Sequence, residues 1–348
     1  MADHKYTSQQ LKDFQSLPLD RKIQLTKTRL IEWYQAHNNQ CYVSFSGGKD
    51  STVLSDITAQ VCKVLGCKLT LWFSDTGLEY PEVKQHVKDF AEWLRKKYEI
   101  EVDLVVDFPK DKNGKRITFK QVIEEYGYPI PTKNVAQVIH RIQKYGYVNK
   151  RTGAESSASR LLNDRVFMKN GKVSKFCCSK WQFLTEADFK ISNECCDIMK
   201  KTPAKKFNKE SGLTAIIGTM ATESTQRNKI WLEHGCNIYD AKEPSSRPLS
   251  FWTEQNVLAY ISTNAIPIPS VYGEIIFDDK KKRLVTTGLE RTGCIFCGFG
   301  AHLEHPNRFE RLKETHPQLY DYCMRPTDRG GAKPRLCVEF CGSTTLRS

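Results

Sequence analysis

Residues 45–51 of this 348-residue chain read Phe-Ser-Gly-Gly-Lys-Asp-Ser, a set suited to holding a phosphate chain. Gly47 and Gly48 allow a sharp turn that points bare N–H groups at one spot. Lys49 adds a full positive charge, and Ser46 and Ser51 add hydroxyl donors. The run follows Cys41-Tyr42-Val43-Ser44, which reads as a short buried strand. It precedes Thr52-Val53-Leu54-Ser55-Asp56-Ile57, which reads as the first turns of a helix. A helix N-terminus brings partial positive charge to the same place. The G-x-x-x-x-G-K-S/T spacing of the Walker A loop is absent. Ser46, Gly47, Gly48, Lys49, Asp50 and Ser51 are therefore candidate nucleotide-binding residues, with Lys49 and Asp50 as candidate catalytic groups. A second carboxylate, Asp75, follows the apolar run Leu69-Thr70-Leu71-Trp72-Phe73. Asp50 and Asp75 are candidates to hold Mg2+ or to organise the loop, since hard oxygen ligands suit that ion.

Thirteen cysteines supply a second chemistry. Cys195-Cys196 and Cys294-Ile295-Phe296-Cys297 form two close pairs whose four thiolates can ligate a tetrahedral zinc or a 4Fe–4S cluster. Spacing alone does not choose between them. Adjacent cysteines are awkward for one small ion, whereas a cubane offers four separated corners. Cys177-Cys178, beside Lys175 and Lys180, reads as a reactive pair, as alternative cluster ligands, or as two small buried residues. Cys337 and Cys341 stand four apart near Arg335 and read as exposed sulfur-carrying or redox thiols. Cys41, Cys62, Cys67, Cys236 and Cys323 read as packing residues.

Elements that position these groups follow from the apolar pattern. Residues 8–37 read as helical with a break at Pro18. A helix runs from the glycine-rich turn to about Leu65, a strand covers 69–73, and Pro81 opens a helix to about Tyr98. Ile100 to Val106 reads as a third strand. Alternating strands and helices imply right-handed crossovers and a parallel sheet, with ligands at the strands' carboxyl ends. Residues 107–176 are rich in Lys, Arg, Gly and Asn, with a helix over 134–145. They read either as an insertion that contacts substrate or as a solvated linker. Leu213 to Gly218 returns to strand character. A helix covers 252–261 with Thr253 as cap, and Arg308 to Tyr322 reads as the last substantial helix. The expected division is an N-terminal helical segment 1–38, a first half-core 39–106, the basic insertion 107–176, a second half-core 177–292 and a cysteine-rich region 293–348.

Several of these runs carry a family resemblance. Ser46 to Ser51 resembles the PP-loop, the pyrophosphate-binding signature of enzymes that cut a nucleotide between its α- and β-phosphates. Asp75-Thr76-Gly77 resembles the nucleotide loop of the phosphoadenylylsulfate (PAPS) reductase superfamily. Gly218-Thr219-Met220-Ala221-Thr222-Glu223-Ser224 resembles its Gly-x-Arg-x-x-Glu-Ser loop, and Pro248 to Thr253 its Pro-Leu-x-x-Trp-Thr segment. Cys195-Cys196-Asp197-Ile198-Met199-Lys200-Lys201-Thr202-Pro203 is similar to the Cys-Cys-x-x-x-Lys-x-x-Pro segment of adenylylsulfate reductases. That resemblance implies a 4Fe–4S cluster on Cys195, Cys196, Cys294 and Cys297, with Lys200 between cluster and substrate. It implies an adenine nucleotide α-hydrolase-like α/β fold, a doubly wound, mostly parallel sheet. It also implies nucleotide contacts from Asp75, Thr76, Gly77, Gly218, Glu223 and Arg227.

Two departures shape the functional expectation. Met220 replaces an arginine that grips substrate phosphate or sulfate, and a thioether cannot act as a bidentate cation. The reductases' tail, Glu-Cys-Gly then a hydrophobe and His, is broken here: Glu339-Phe340-Cys341-Gly342 carries an extra residue and no histidine. The intact PP-loop instead resembles DNA phosphorothioation proteins of the DndC type and cluster-dependent tRNA thiolation enzymes. The expected activity is ATP cleavage to AMP and pyrophosphate in a sulfur-transfer reaction, with ATP, Mg2+ and the cluster as cofactors. One alternative is a sulfonucleotide reductase using Cys341 as nucleophile. Another is a non-catalytic, metal-stabilised nucleotide-binding regulator.

Composition bounds the partners. A formal net charge of +13 favours an anionic partner, a nucleotide or a nucleic-acid acceptor, though charge alone also serves solubility. A cysteine desulfurase as sulfur donor, or a thioredoxin-like reductant, completes the expected set. No apolar run approaches a membrane span and the N-terminus shows no apolar leader. The expectation is a cytosolic protein with reduced thiols, in no contact with a membrane.

Overall fold

The computed structural model describes residues 5–332. In chain order its elements are α1 (Ser8–Ser16), α2 (Leu19–Ala36), β1 (Cys41–Ser44), α3 (Lys49–Leu65), β2 (Leu69–Ser74), α4 (Pro81–Tyr98) and β3 (Val102–Asp107). Next come α5 (Phe119–Glu125), α6 (Lys133–Tyr145), α7 (Ser157–Leu162), a 3-10 segment over Ser179–Glu186, and α8 (Glu194–Cys196), which runs into a π-helical turn over Asp197–Lys201. The chain continues with α9 (Thr202–Ser211), β4 (Thr214–Ile217), α10 (Thr225–His234), β5 (Asn237–Ile238), β6 (Ser245–Ser246) and α11 (Glu254–Asn264). A hairpin of β7 (Ile275–Asp278) and β8 (Arg283–Thr286) leads to α12 (Arg308–Thr315) and α13 (Pro317–Met324). The single helix expected over 308–322 is thus two, because Pro317 cannot continue the backbone ladder and instead opens α13.

Two compact units form. Among the described residues the first comprises 5–75, 79–107 and 204–292, and the second 76–78, 108–203 and 293–332. The first holds a six-stranded sheet in the order β3-β2-β1-β4-β6-β5. Every neighbouring pair is parallel except β5 with β6. The fold is therefore doubly wound α/β of the adenine nucleotide α-hydrolase type. After β1 the chain winds out to β2 and β3, then returns to the other side of β1 at β4. That reversal opens a crevice at the carboxyl ends of β1 and β4, where such sheets take their ligands. On one sheet face Val43, Leu71 and Ile216 meet Ile57, Phe90 and Trp252 in the main core. On the other, Tyr42 and Trp72 pack against Phe207 of α9. Runs of buried residues along β1 and β2, rather than alternation, are what a sheet covered on both faces requires.

The second unit has its own small core, with Phe119, Tyr128 and Phe296 in ring contact and Leu162, Leu184, Ile191 and Met199 buried. Thr132 caps α6 through its side chain, and the apolar stripe Val135, Val138, Ile139 and Ile142 turns inward. No helix among the described residues is long and apolar enough to cross a membrane.

Candidate functional site

The glycine-rich turn sits between β1 and α3, at the crevice. Gly47 has φ +73°, a left-handed backbone that glycine adopts without strain. A Cβ there would lie 2.8 Å from both Val83 Cγ1 and Val87 Cγ2, so α4 also requires a bare residue. The turn's hydrogen-bonding groups converge. The Ser46 and Gly48 N–H groups donate to Ser51 Oγ (3.2 Å) and Ser46 Oγ (3.4 Å), and the two hydroxyls lie 3.0 Å apart. The Lys49 N–H donates to the Tyr272 hydroxyl at 3.2 Å, which in turn meets Thr292 Oγ1 at 3.0 Å. Hydroxyl oxygens are thus the acceptors for these three backbone N–H groups.

Lys49 is buried, 2 % exposed. Its Nζ donates to the Glu290 carbonyl at 2.7 Å, pairs with Glu254 at 3.3 Å, and lies 4.0 Å from Asp50 Oδ1. Gly218, directly after β4, lies against the Asp50–Ser51 backbone. Glu223 accepts from the Met220 N–H at 2.8 Å and is held by Arg227 and, at 3.7 Å, by Arg291. Met220 itself is buried in the core. The exposed cation beside this loop is Arg291, from a different part of the chain. Asp75 stands at the end of β2 with its carboxylate 2.6 Å from Lys84. In the second unit, Thr76 Oγ1 accepts from the Leu78 N–H and Gly77 takes φ +79°. Tyr272, Glu254, Glu290, Arg291 and Thr292 carried no sequence signal, because they reach the turn only through folding.

Asp50 Oδ1 is a buried oxygen that accepts no hydrogen bond. Burial pushes the carboxyl above its ordinary range, Lys49 and Arg291 pull it down, and Glu223 and Glu254 add to the rise. A hard cation would supply the missing partner, so the residue fits the Mg2+ role. The folded state therefore holds this proton more tightly than the unfolded chain. The associated stability is present at low pH and is lost as pH rises from the ordinary aspartate value through the raised one. Asp50→Asn, which cannot ionise, should melt roughly a few degrees higher than the parent at pH 7 without nucleotide. The difference should vanish near pH 3, and thermal melts across pH check it.

The cysteine pairs both lie in the second unit. Cys195-Cys196 falls where α8 gives way to the π-helical turn, a widened geometry often found at functional sites. Cys294 to Cys297 forms a tight turn, with the Cys297 N–H donating to the Cys294 carbonyl at 3.1 Å. Tyr128 OH donates to the Phe296 carbonyl (2.8 Å) and Arg308 to that of Cys297 (3.2 Å), fixing the turn. A Cβ at Gly298 would lie 2.4 Å from Ile130 Cγ2, so only glycine lets the turn seat there. Two of the four thiols, Cys195 and Cys297, are perturbed by their neighbours. Burial raises Cys195, neighbouring Cys294, Cys196 and Cys297 raise it further, and Lys200 opposes them. Cys297 is pushed up to about 11 by burial and then by Cys294. Cys195 and Cys297 resist ionising until a cationic centre balances them, and with Cys196 and Cys294 they make a thiol set of the kind an iron–sulfur cluster uses. Among the described residues no three His, Cys, Asp or Glu side chains stand close enough to hold a single metal ion. Cys178, raised to about 11 by burial and then by Cys177, belongs to another loop. Cys341 and Cys337 lie outside the described residues.

A doubly wound, mostly parallel sheet with a glycine-rich turn at its reversal defines the class of α/β fold. The phosphoadenosine phosphosulfate reductase domain matches residues 40–145 and 163–298, and the chain belongs to that family. Its members are usually enzymes, often bind nucleotide, and in some cases carry an iron–sulfur cluster. The chain is also similar to the uncharacterized protein MJ0066 of Methanocaldococcus jannaschii, 22% identical over 291 residues. The match covers 83% of this chain and 41% of that relative, so the chain spans about two fifths of its length.

Proposed function

We propose that this protein binds ATP in the Ser46–Ser51 cradle, cleaves it to AMP and pyrophosphate, and couples the cleavage to sulfur transfer. The observation that carries this reading is the complete cradle at the sheet's reversal, with buried Lys49 and the α3 N-terminus at one point. An acceptor oxygen attacks the α-phosphorus, the bond to the β-phosphate breaks, and pyrophosphate leaves with the electron pair. Lys49, the turn's N–H groups and the helix dipole stabilise the departing charge. Asp50 would hold Mg2+, which would supply positive charge to offset that of the leaving group, while Glu223 and Arg227 orient the nucleotide. The adenylated acceptor is then open to a sulfur nucleophile, which displaces AMP. A cysteine desulfurase persulfide suits as donor, with a thioredoxin-like protein returning the two electrons that free the transferred sulfur.

Cys195, Cys196, Cys294 and Cys297 would hold the 4Fe–4S cluster, which supplies an electron-exchanging, sulfur-binding centre when bound. A nucleic-acid acceptor suits the formal charge of +13. The second reading, a sulfonucleotide reductase with Cys341 as nucleophile, draws on the family match itself. Anaerobically purified protein given ATP labelled at its α-phosphate, together with nucleic acid and a persulfide donor, should release AMP and pyrophosphate. Intact ATP, with sulfite released from adenylylsulfate instead, would overturn the first reading in favour of the second.

A further inference from the structure

The chain's positive charge is concentrated. Residues 133–180 hold eleven Lys and Arg against two Asp and Glu, a net +9 of the total +13. The same segment leaves aromatic rings in solvent: Tyr145 is 60% exposed, Phe167 63% and Phe176 52%. Cations stand beside two of them, with Lys144 Nζ 5.3 Å from the Tyr145 ring and Lys175 Nζ 5.5 Å from that of Phe176. Antiparallel bridges Val148↔Glu155 and Phe167↔Val173 close two short hairpins. Their tips carry Lys150 and Arg151 in one, Lys169 and Lys172 in the other.

These pieces share one framework inside the second unit. Tyr147 OH donates to Thr185 Oγ1 at 3.1 Å, and Asn134 donates to the Phe176 carbonyl at 3.2 Å. Arg165 pairs with Glu155 at 3.3 Å, joining the hairpins. Residues 146–162, which include the first hairpin, fall outside both stretches matched by the family domain.

We propose that this basic, ring-bearing segment binds single-stranded nucleic acid. Exposed rings flanked by lysines combine the two interactions such a strand needs: bases stack on ring faces while ammonium groups take the phosphates. A duplex hides its base faces and could use only the charges. The surface deepens the nucleic-acid acceptor named above, yet its binding needs no ATP. It can therefore fail separately from the ATP chemistry.

Fluorescence anisotropy with a labelled mixed-sequence 20-mer, as RNA and as DNA, tests the assignment without nucleotide at several salt concentrations. Single strands should bind at least about tenfold tighter than the blunt duplex of the same sequence. Phe167→Ala with Phe176→Ala should weaken single-strand binding by about tenfold or more. Both rings are exposed, so this variant should keep the parent's melting temperature. Lys169→Glu with Lys172→Glu should flatten the salt dependence by about 1.4 in slope, the worth of two phosphates. Lys88→Glu with Lys96→Glu on exposed positions of α4 makes the same charge change and should alter affinity less than about twofold. Equal affinity for duplex and single strand, indifference to the loss of both rings, or equal effects of the two lysine pairs would each overturn the proposal.

Discussion

Lys49→Met is expected to lower pyrophosphate release from ATP by about 10³-fold while the protein stays folded. The magnitude follows from removing a preorganised cation at the point where negative charge develops, an effect of roughly 10²–10³ for one such donor. Lys49 is a full charge, so the upper end applies. Methionine keeps the length and apolar body of the side chain but cannot donate to Glu290 or pair with Glu254. Loss of a buried cation often unfolds a protein, because its partner is left uncompensated. Here the Glu254 side chain is 38% exposed and water can solvate it. The folding penalty should therefore be about 1 kcal/mol. Steady-state release of labelled pyrophosphate, with circular dichroism on the same sample, separates the two effects. Retention of more than about a tenth of the activity in a folded variant would show that the phosphates bind elsewhere.

The second large effect is at the thiols. Cys195→Ser should strip nearly all iron and sulfide from anaerobically purified protein and abolish visible absorbance near 400 nm. Serine offers an alcohol that stays protonated at neutral pH, where the cluster needs a thiolate. Cys195 is the buried member of its pair, so serine's hydroxyl would also be desolvated. Cys178→Ser serves as the control, since its thiol is perturbed by burial and by neighbouring Cys177 and Asp164. It should leave iron unchanged. Because a bound cluster stabilises whichever state holds it, Cys195→Ser should also melt several degrees lower than the parent. Iron content equal to that of the parent would refute the ligand assignment, and iron lost equally from Cys178→Ser would refute its specificity.

Much of the glycine-rich turn's geometry is legible in the sequence. Gly47, Gly48, Lys49 and Ser51 announce themselves because local geometry does the work. The turn, the helix N-terminus and the hydroxyls are all made within seven residues. Pro81 set the start of α4 at the expected residue, since its fixed φ suits a first helical turn. The division at Pro317 was missed because the apolar spacing runs across it and favours one helix. Asp75 is a candidate for magnesium or for organising its loop, and its ion pair with Lys84, nine residues on, is a contact the sequence pattern does not show. The basic run was visible in the sequence as charge. Which of its rings face solvent was not, because Tyr145 and Ile142 differ by only three residues yet lie on opposite sides of burial.

The sequence by itself determined the class of protein, a doubly wound α/β chain with a glycine-rich turn between β1 and α3 and four cysteines in two pairs. Those features are local, each fixed by a handful of neighbours. Only the tertiary structure decided how Lys49 and its turn are held, because Glu254, Tyr272, Glu290 and Thr292 lie more than 200 residues away in sequence. It likewise decided that Cys195 and Cys297 share one electrostatic neighbourhood. Contacts of that range leave no periodicity or spacing behind, since any chain path that closes the loop serves equally well.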